Sequence, residues 1–470
     1  MKPTICMLAL LLPMAPQYGR AQTFTPEERA KVVAYWSVSG QVTTTLADDP
    51  KKKGVWQVRL TPEASLWFWK YQQVIGGNGK PPPTMDVTGK LGDGSGWEKW
   101  VTGKLDYDRW LAQKTADIAN QKLNPAWKPF ASLTSPPLPG LVPDSLLRAV
   151  GNPPQFAASV APQQTTVTFG DGDVYAYTSH VAIRPRYAYY RFDAGAEVGG
   201  QSLRDVPDAE LDSLFTVAGF SKNEQKVAKF VSRLEGGFDA VNTYDTGFVS
   251  IGFLQFITAV DGRGSLSTVL RQEKTDAPPV FEKDFRSFGV DVDKSGTLCV
   301  VDPQTGAELT GAEAVQKVIS EKRLTAVFQK AGRRSPEFRT AQIKVARSTY
   351  WPLEDKCTVQ LDPGTTLNFR VGDIVRSEAG MATLFDRKVN RGSVLPFADV
   401  VKAVMVRHRL KSLTEACCYE REIIAALKYR TDFLAEVSLT QPVDSVPLAQ
   451  TVLGEGGAQT VPPTEPLPNP

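Results

Sequence analysis

The spacing of apolar residues is helical through most of the second half of the chain. Apolar positions three and four residues apart predict a short helix over 208–217 and a second helix that begins at Ser221. Ser221 and Glu224 have the spacing of a capping box, and Thr310 with Glu313 repeats it before a later apolar run. The same periodicity predicts further helices over 337–348, 372–390, 397–410 and 413–433. We therefore expect this half to be mainly helical.

The helix that begins at Ser221 is predicted to end at Glu235. Two glycines, Gly236 and Gly237, follow directly and break the helical pattern. The next segment has two short apolar stretches separated by turn residues, and it is predicted to form a small hairpin that carries Asp245. An acid at a helix end is thus followed closely by an acid on a small sheet.

The first half of the chain has a different pattern, in which tryptophans and turn residues are frequent. Eight of the nine tryptophans lie between residues 23 and 131. Alternation over 55–60 predicts a strand, and residues 165–177 predict a hairpin. Nine prolines between residues 125 and 162 predict an extended connector. We interpret the tryptophans as filling a small core, in preference to stacking on sugars, because tryptophan is usually well buried.

These patterns together predict an α+β protein in two parts. Residues 22–200 are expected to form a tryptophan-rich domain of mixed or β character that includes the proline-rich connector. Residues 201–436 are expected to form a mainly helical domain with the small hairpin. Residues 437–470 are rich in Pro, Gly, Thr and Gln, and this composition predicts disorder.

Residues 1–21 have the organisation of a secretory signal peptide. Lys2 supplies the positive start, residues 5–14 form the apolar run, and Gly19 and Ala21 are the small residues of a cleavage site. The apolar run is shorter than the ~20 residues that a spanning helix needs. We therefore predict cleavage after Ala21 and a secreted or periplasmic protein with no integral membrane segment after processing.

Charge and composition exclude several kinds of partner. The formal net charge of +3 includes Lys2 and Arg20, so the chain without them carries +1. Such a near-neutral chain is not typical of proteins that bind nucleic acid. The chain has only two histidines, His180 and His408, so no metal site and no cofactor are predicted. The Asp-Val-Asp-Lys-Ser-Gly run at 291–296 resembles a calcium loop, but the strand pattern after it favours a hairpin turn.

The predicted chemistry centres on Glu235. Hydrolysis of a glycosidic bond needs an acid that protonates the leaving oxygen and a second carboxylate that activates water or attacks the sugar. A helix C-terminus and apolar neighbours both raise the pKa of a carboxyl group, as a proton donor requires. Glu235 has both, since Leu234 precedes it and Phe238 follows it. Asp245 is the predicted second acid, and Asp239 is the alternative.

The segment around Glu235 also resembles a known family. Glu-Gly-Gly-Phe-Asp is followed by Tyr-Asp-Thr-Gly and by Ser-Ile-Gly-Phe-Leu-Gln-Phe, an order similar to the active-site segment of the lysozyme superfamily, which includes phage-type and goose-type lysozymes, lytic transglycosylases and related chitosanases. The resemblance implies a lysozyme-like fold for the second domain, with Glu235 as the general acid and Asp245 as the sheet carboxylate. The residues expected to contact substrate are Asp239, Tyr244, Ser250, Gly252 and Gln255.

We therefore predict an exported glycoside hydrolase that cleaves a β-1,4-linked amino-sugar polymer by general acid/base catalysis. Peptidoglycan is the first expectation for this polymer. Two alternatives stay open: a chitosanase that acts on chitosan, and a non-catalytic protein of the cell envelope that only binds glycan.

Overall fold

The computed structural model describes residues 22–46, 55–75, 96–130, 134–178, 192, 194–233, 236–245, 247–362, 364–427 and 433–439. The helices of these residues, in chain order, are α1 (Pro26–Trp36), α2 (Pro62–Ile75), α3 (Trp97–Leu123), α4 (Asp144–Val150), α5 (Asp208–Val217), α6 (Lys222–Ser232), α7 (Ser265–Asp276), α8 (Pro278–Asp284), α9 (Ala312–Ser320), α10 (Lys322–Arg334), α11 (Pro336–Tyr350), α12 (Val371–Ile374), α13 (Glu378–Arg391), α14 (Phe397–His408), α15 (Leu413–Cys417) and α16 (Glu420–Ala426). The predicted signal peptide, residues 1–21, and residues 440–470 of the predicted tail lie outside the described residues.

The strands are short and pair antiparallel. In chain order they are β1 (Val42–Leu46), β2 (Gln57–Leu60), β3 (Ala157–Val160), β4 (Gln163–Thr168), β5 (Val174–Thr178), β6 (Glu197–Val198), β7 (Val241–Asn242), β8 (Ser250–Ile251), β9 (Phe256–Ile257), β10 (Val290–Val292), β11 (Leu298–Val301), β12 (Glu308–Thr310), β13 (Lys356–Asp362) and β14 (Thr365–Arg370). Within the described residues the sheet orders are β1–β4–β5, β2–β3, β6–β7–β8–β9, β10–β11–β12 and β13–β14. The combination of helices and antiparallel sheets confirms the α+β class, while the lysozyme-like arrangement stays a prediction.

The larger hydrophobic core joins the start of the chain to its second half. Buried residues of α1 and of the β4–β5 hairpin belong to the same cluster as the elements from β6 to α16. Trp36 shows the connection: its indole N–H donates to the carbonyl of Phe288 at 3.1 Å, and its ring meets that of Phe169 edge-on. Helix α1 therefore packs against residues about 250 positions later in the chain.

A smaller core lies among α2, α3, α4, β2 and β3. Trp67 stacks on Tyr71, and Phe68 lies 4.7 Å from Phe156 between ring centroids. The buried carboxylate of Asp108 accepts from the backbone N–H of Phe156 and pairs with Lys104. This core thus combines aromatic packing with a satisfied buried charge.

Most described tryptophans of the first half have structural contacts. Trp67 and Trp127 are buried, and Trp36 belongs to the larger core. Indole N–H groups also donate within the protein, for example from Trp97 to Ser145 Oγ. Trp69 is 39% exposed. This distribution agrees with the core-filling interpretation for the buried members of the set.

Several predicted elements are confirmed. Helix α5 has the predicted bounds, and α6 begins with the Ser221–Glu224 capping box, in which each side chain binds the backbone N–H of the other residue. The predicted strand before α2 and the hairpin over 165–177 are also present. The run at 291–296 begins in β10 and continues as the turn before β11, where the Asp293 carboxylate accepts from the N–H groups of Ser295 and Thr297.

Other expectations need correction. The second capping box is wrong, because Thr310 pairs with Cys299 as the last residue of β12, and Gly311 with φ +60° precedes α9 instead. The helix predicted over 372–390 breaks between α12 and α13. The reason is that the carboxylate of Glu420 accepts the N–H groups of Arg376 and Ser377, which diverts them from helical bonding. The helix predicted over 413–433 is likewise divided into α15 and α16.

Several elements had no counterpart among the predictions, including α1, α7 and α10. Helix α3 spans 27 residues of the region expected to be mixed or β, and the β13–β14 hairpin interrupts the helical half. None of the helices within the described ranges combines the length and apolar character that a bilayer crossing requires.

Candidate functional site

The candidate site is built at the C-terminal end of helix α6. The buried face of this helix, which includes Val227, Ala228 and Val231, packs into the larger core. The helix ends at Ser232, so the predicted end at Glu235 is wrong by three residues. The Ser232 hydroxyl donates back to the carbonyl of Lys229 at 2.8 Å. Leu234 and the predicted acid, Glu235, lie outside the described residues, and the description resumes at Gly236.

The two glycines after the helix allow close backbone approaches. The N–H of Gly236 donates to the carbonyl of Ser232, the last residue of α6, at 3.0 Å. Gly236 has φ +144°, and a Cβ there would lie 2.7 Å from Cβ of Ala240. A Cβ at Gly237 would collide with the backbone of Gln201. A larger side chain at either position would therefore displace the segment that follows Glu235.

The four-stranded sheet β6–β7–β8–β9 contains Ser250, and the segments that connect its strands carry most of the other predicted site residues. Its strands have two residues each, and Ser250 of β8 lies opposite Asn242 of β7 and Ile257 of β9. Ser250 is 3% exposed and Tyr244 is 9% exposed. Both side chains are thus largely enclosed by the protein.

Asp245 lies in the connection between β7 and β8 and is half-buried. One carboxylate oxygen accepts from the N–H of Gly247 at 2.8 Å, and the other accepts from the side-chain amide of Asn242 at 3.0 Å. These bonds hold the carboxylate in a defined orientation, as in other aspartate turns.

Asp239 has a different environment from Asp245. It is 1% exposed, and one of its oxygens accepts from the backbone N–H of Gln201 at 2.7 Å. The other oxygen accepts from the guanidinium of Arg333 at 2.8 Å. Both oxygens are engaged, so Asp239 links the Gly200–Gln201 backbone to helix α10.

Gln255 and Gly252 form the turn between β8 and β9. The side-chain amide of Gln255 donates to the Gly252 carbonyl at 3.0 Å, and the same carbonyl accepts the Gln255 backbone N–H. A Cβ built on Gly236 would lie 3.9 Å from Nε2 of Gln255. The structure therefore brings the Gln255 amide next to the residue that follows Glu235 in the chain.

Gln342 of helix α11 joins these two segments, and no spacing rule assigned it a role. Its side chain is fully buried, donates to the Phe238 carbonyl at 3.0 Å and accepts the N–H of Phe253 at 3.3 Å. One amide thus sets the distance between the loop after Glu235 and the Gly252 turn. In the sequence, such a residue is visible only as a single glutamine among the apolar positions of a buried helix face.

A groove of about 350 Å³ opens beside the end of α6. Among its lining residues are Ser232, Arg233 and Gly236 from the helix end, and Gly199 with Gly200 from the segment after β6. Leu203, Arg204, Asp208, Leu211 and Lys229 line it too, together with Ser202. Asp245, Tyr244, Ser250 and Gln255 are not among the lining residues.

A second, larger cavity of about 1020 Å³ lies beside the β10–β11–β12 sheet. Its lining includes Thr23, Arg286 and Cys299. The guanidinium of Arg286 already binds the carboxylates of Glu28 and Asp291. Burial raises the pKa of the Cys299 thiol to about 11, so the reactive thiolate is scarce at neutral pH. Within the described residues, no group of three or more His, Cys, Asp or Glu side chains has the arrangement of a metal site.

Comparisons of the chain with protein-family models, with curated proteins and with solved structures found no match. The function is therefore inferred from the geometry of the groove and from the chemistry of the residues around it.

The Gly252 turn permits a direct test of how tightly the site is built. Gly252 has φ +87°, and a Cβ there would collide with Oε1 of Gln342. We expect Gly252→Ala to lower the free energy of unfolding by about 3 kcal/mol. Gly392→Ala is the matched control, because Gly392 has φ +73° with no atom within 4 Å of the added Cβ, and it is expected to lose only ~1 kcal/mol. Urea denaturation measures the free energy of unfolding of both variants. Equal losses would contradict the close contact between Gly252 and the Gln342 side chain.

Proposed function

We propose that this protein is an exported glycoside hydrolase that cleaves a β-1,4-linked amino-sugar polymer, with peptidoglycan ahead of chitosan as the substrate. The observation that carries the proposal is the position of the groove. Arg233 and Gly236, which flank Leu234 and Glu235 in the chain, both line it. The candidate acid thus belongs to the short segment whose two ends border an open cavity.

Glu235 would act as the general acid that protonates the leaving glycosidic oxygen. An acid after the last turn of α6 is exposed to the negative end of the helix dipole, which disfavours the ionised form. A proton donor that works near neutral pH needs this kind of pKa increase. The Gln255 amide beside Gly236 supplies a polar group that can bind a sugar hydroxyl or acetamido group.

Asp245 is favoured over Asp239 as the second carboxylate. Asp239 is enclosed, and its oxygens are occupied by Gln201 and Arg333. Asp245 is half-buried in the β7–β8 connection, and the bonds from Asn242 and Gly247 orient it. In this proposal Asp245, which does not line the groove, directs water to the sugar from the side of the β7–β8 connection, the second role that glycoside hydrolysis requires.

The charge of the groove supports peptidoglycan over chitosan. Among its described lining residues, three are basic, Arg204, Lys229 and Arg233, and one is acidic, Asp208. Peptidoglycan carries carboxylates on its muramic acid and peptide groups, whereas chitosan carries ammonium groups. A basic cleft attracts the first polymer and repels the second.

The test is to incubate the purified protein with peptidoglycan and with soluble chitosan and to measure new reducing ends and binding in parallel. The proposal predicts new reducing ends from peptidoglycan and few from chitosan. Binding to peptidoglycan without cleavage of either polymer would instead support a non-catalytic envelope protein. Cleavage of chitosan alone would overturn the choice of substrate.

A further inference from the structure

Two arginines at the groove have charges that no described carboxylate neutralises at short range. Arg204 and Arg233 are both exposed and both line the cavity. Among the described residues, neither guanidinium has a carboxylate within ion-pair distance. Lys229, in contrast, lies 3.5 Å from Asp208 and 3.4 Å from an oxygen of Asp212. Among the described lining residues, Lys229 is thus held in ion pairs, whereas the two arginines have no carboxylate in direct ion-pair contact.

The two arginines influence each other. Burial lowers the pKa of Arg233, and the positive charge of Arg204 lowers it further. The guanidinium of Arg233 also lies over the ring of Phe230, 3.7 Å from its centroid. This cation–π contact restricts the orientation of the guanidinium before any ligand arrives. Both arginines line the same groove, and two like charges in one cleft are a favourable place for an anion.

An acid from the C-terminal segment already lies near this pair. Ser438 Oγ donates to Oε1 of Glu436 at 2.7 Å. Hydrogen bonds from Ser438 lower the pKa of Glu436, and the charges of Arg233 and Arg204 lower it further. Leu439 is fully buried, and its carbonyl accepts a backbone N–H at the start of α13. The segment is therefore anchored in a position where the Glu436 carboxylate interacts with the charges of both arginines.

We propose that Arg204 and Arg233 form a subsite that binds a carboxylate carried by the glycan, and that Glu436 competes for this subsite from within the chain. The inference rests on the proposed function, because it names the kind of sugar that the same groove takes. Arginine suits the role, since its planar guanidinium can form two parallel hydrogen bonds with a carboxylate. A neutral sugar lacks the group that these two side chains recognise.

The experiment compares two tetrasaccharides by isothermal titration calorimetry. One is neutral chitotetraose, and the other alternates N-acetylglucosamine with carboxylate-bearing N-acetylmuramic acid. Glu235→Gln is present in every protein, so that cleavage does not disturb the titration. The parent is expected to bind the carboxylated glycan about tenfold more tightly than the neutral one at low salt. Arg204→Gln or Arg233→Gln should each reduce this ratio about fivefold, and Glu436→Gln should raise it about threefold.

Lys222→Gln is the matched control, because it removes one positive charge from the exposed start of the same helix. Its ratio should stay within about twofold of the parent. Arg233→Lys keeps the charge and should lose only part of the preference. A parent ratio near one, or an equal loss in the Lys222 control, would overturn the subsite. If the wild-type protein, which retains Glu235, does not cleave peptidoglycan, the hydrolase proposal is contradicted. A preference for the carboxylated glycan that is lost in the arginine variants would support the subsite even then.

Discussion

Glu235→Gln is expected to lower the rate of peptidoglycan cleavage by at least about 100-fold, because glutamine cannot protonate the leaving oxygen. The change keeps the size of the side chain, so binding to peptidoglycan should stay within about twofold. Initial rates of reducing-end release and sedimentation with insoluble peptidoglycan measure the two quantities. A loss of turnover without a loss of binding is the pattern that separates a catalytic acid from a binding residue.

Glu27→Gln provides the control for this experiment. Glu27 is an exposed glutamate in the first turn of α1, and it does not line the groove. Its substitution should leave both turnover and binding unchanged. Full turnover in Glu235→Gln, with the control also active, would show that another group supplies the proton. Equal losses in both variants would point to unfolding in place of chemistry, and thermal denaturation of each variant checks this.

Glu273→Gln is expected to raise the stability of the protein at neutral and alkaline pH. Glu273 is fully buried on α7, and no described donor reaches either of its carboxylate oxygens. Burial, and to a smaller extent the neighbouring charge of Asp284, raise the pKa of Glu273 to about 10. Burial also raises the pKa of Asp284, although Ser335 and Lys330 oppose this. The folded protein therefore keeps a proton at this pair that the unfolded chain releases.

The direction of the pH dependence follows from this difference. The stabilising contribution of protonated Glu273 is complete below the pKa of the unfolded chain, whose ordinary value is 4.5, and it is lost as the pH rises toward about 10. At pH 7 the loss is on the order of 3 kcal/mol. Glutamine needs no proton, and its amide can donate to Asp284, so the variant should recover much of this free energy.

Urea denaturation between pH 5 and pH 9 tests this second expectation. The wild-type protein should lose stability with rising pH, and Glu273→Gln should show a flatter profile over the same range. Glu282→Gln on α8 is the control, since the Glu282 side chain is 53% exposed and its loss should change stability by less than about 0.5 kcal/mol. Parallel profiles for wild type and Glu273→Gln would contradict the account of the buried pair.

The parts of the fold that the sequence predicted well are those that depend on local contacts. The α6 capping box needs only Ser221 and Glu224, three residues apart, and it formed as expected. The Thr310–Glu313 pair has the same spacing but failed, because Thr310 pairs with Cys299 across the sheet. Sheet pairing of this kind is decided by residues distant in the chain, so a local motif alone cannot report it.

The same distinction applies to the candidate site. The hairpin that carries Asp245 and the glycines after the helix were visible in the chain order. The bonds that determine its geometry were not, since Arg333 reaches Asp239 across 94 positions and Gln342 reaches Phe238 across 104. The sequence also does not show that Arg204 and Arg233 line one groove, because folding brings them there. The burial of Asp239 could not be predicted either, because it depends on its contacts with Arg333 of α10 and with the Gln201 backbone.

The identity of the fragments released from purified peptidoglycan tests the central claim most directly. Mass spectrometry of the soluble products distinguishes cleavage of a glycan bond by water from cleavage of a peptide bond. We expect the wild-type protein to release glycan fragments with new reducing ends and Glu235→Gln to release almost none. Absence of such fragments from the wild-type reaction, or equal release by both proteins, would contradict it.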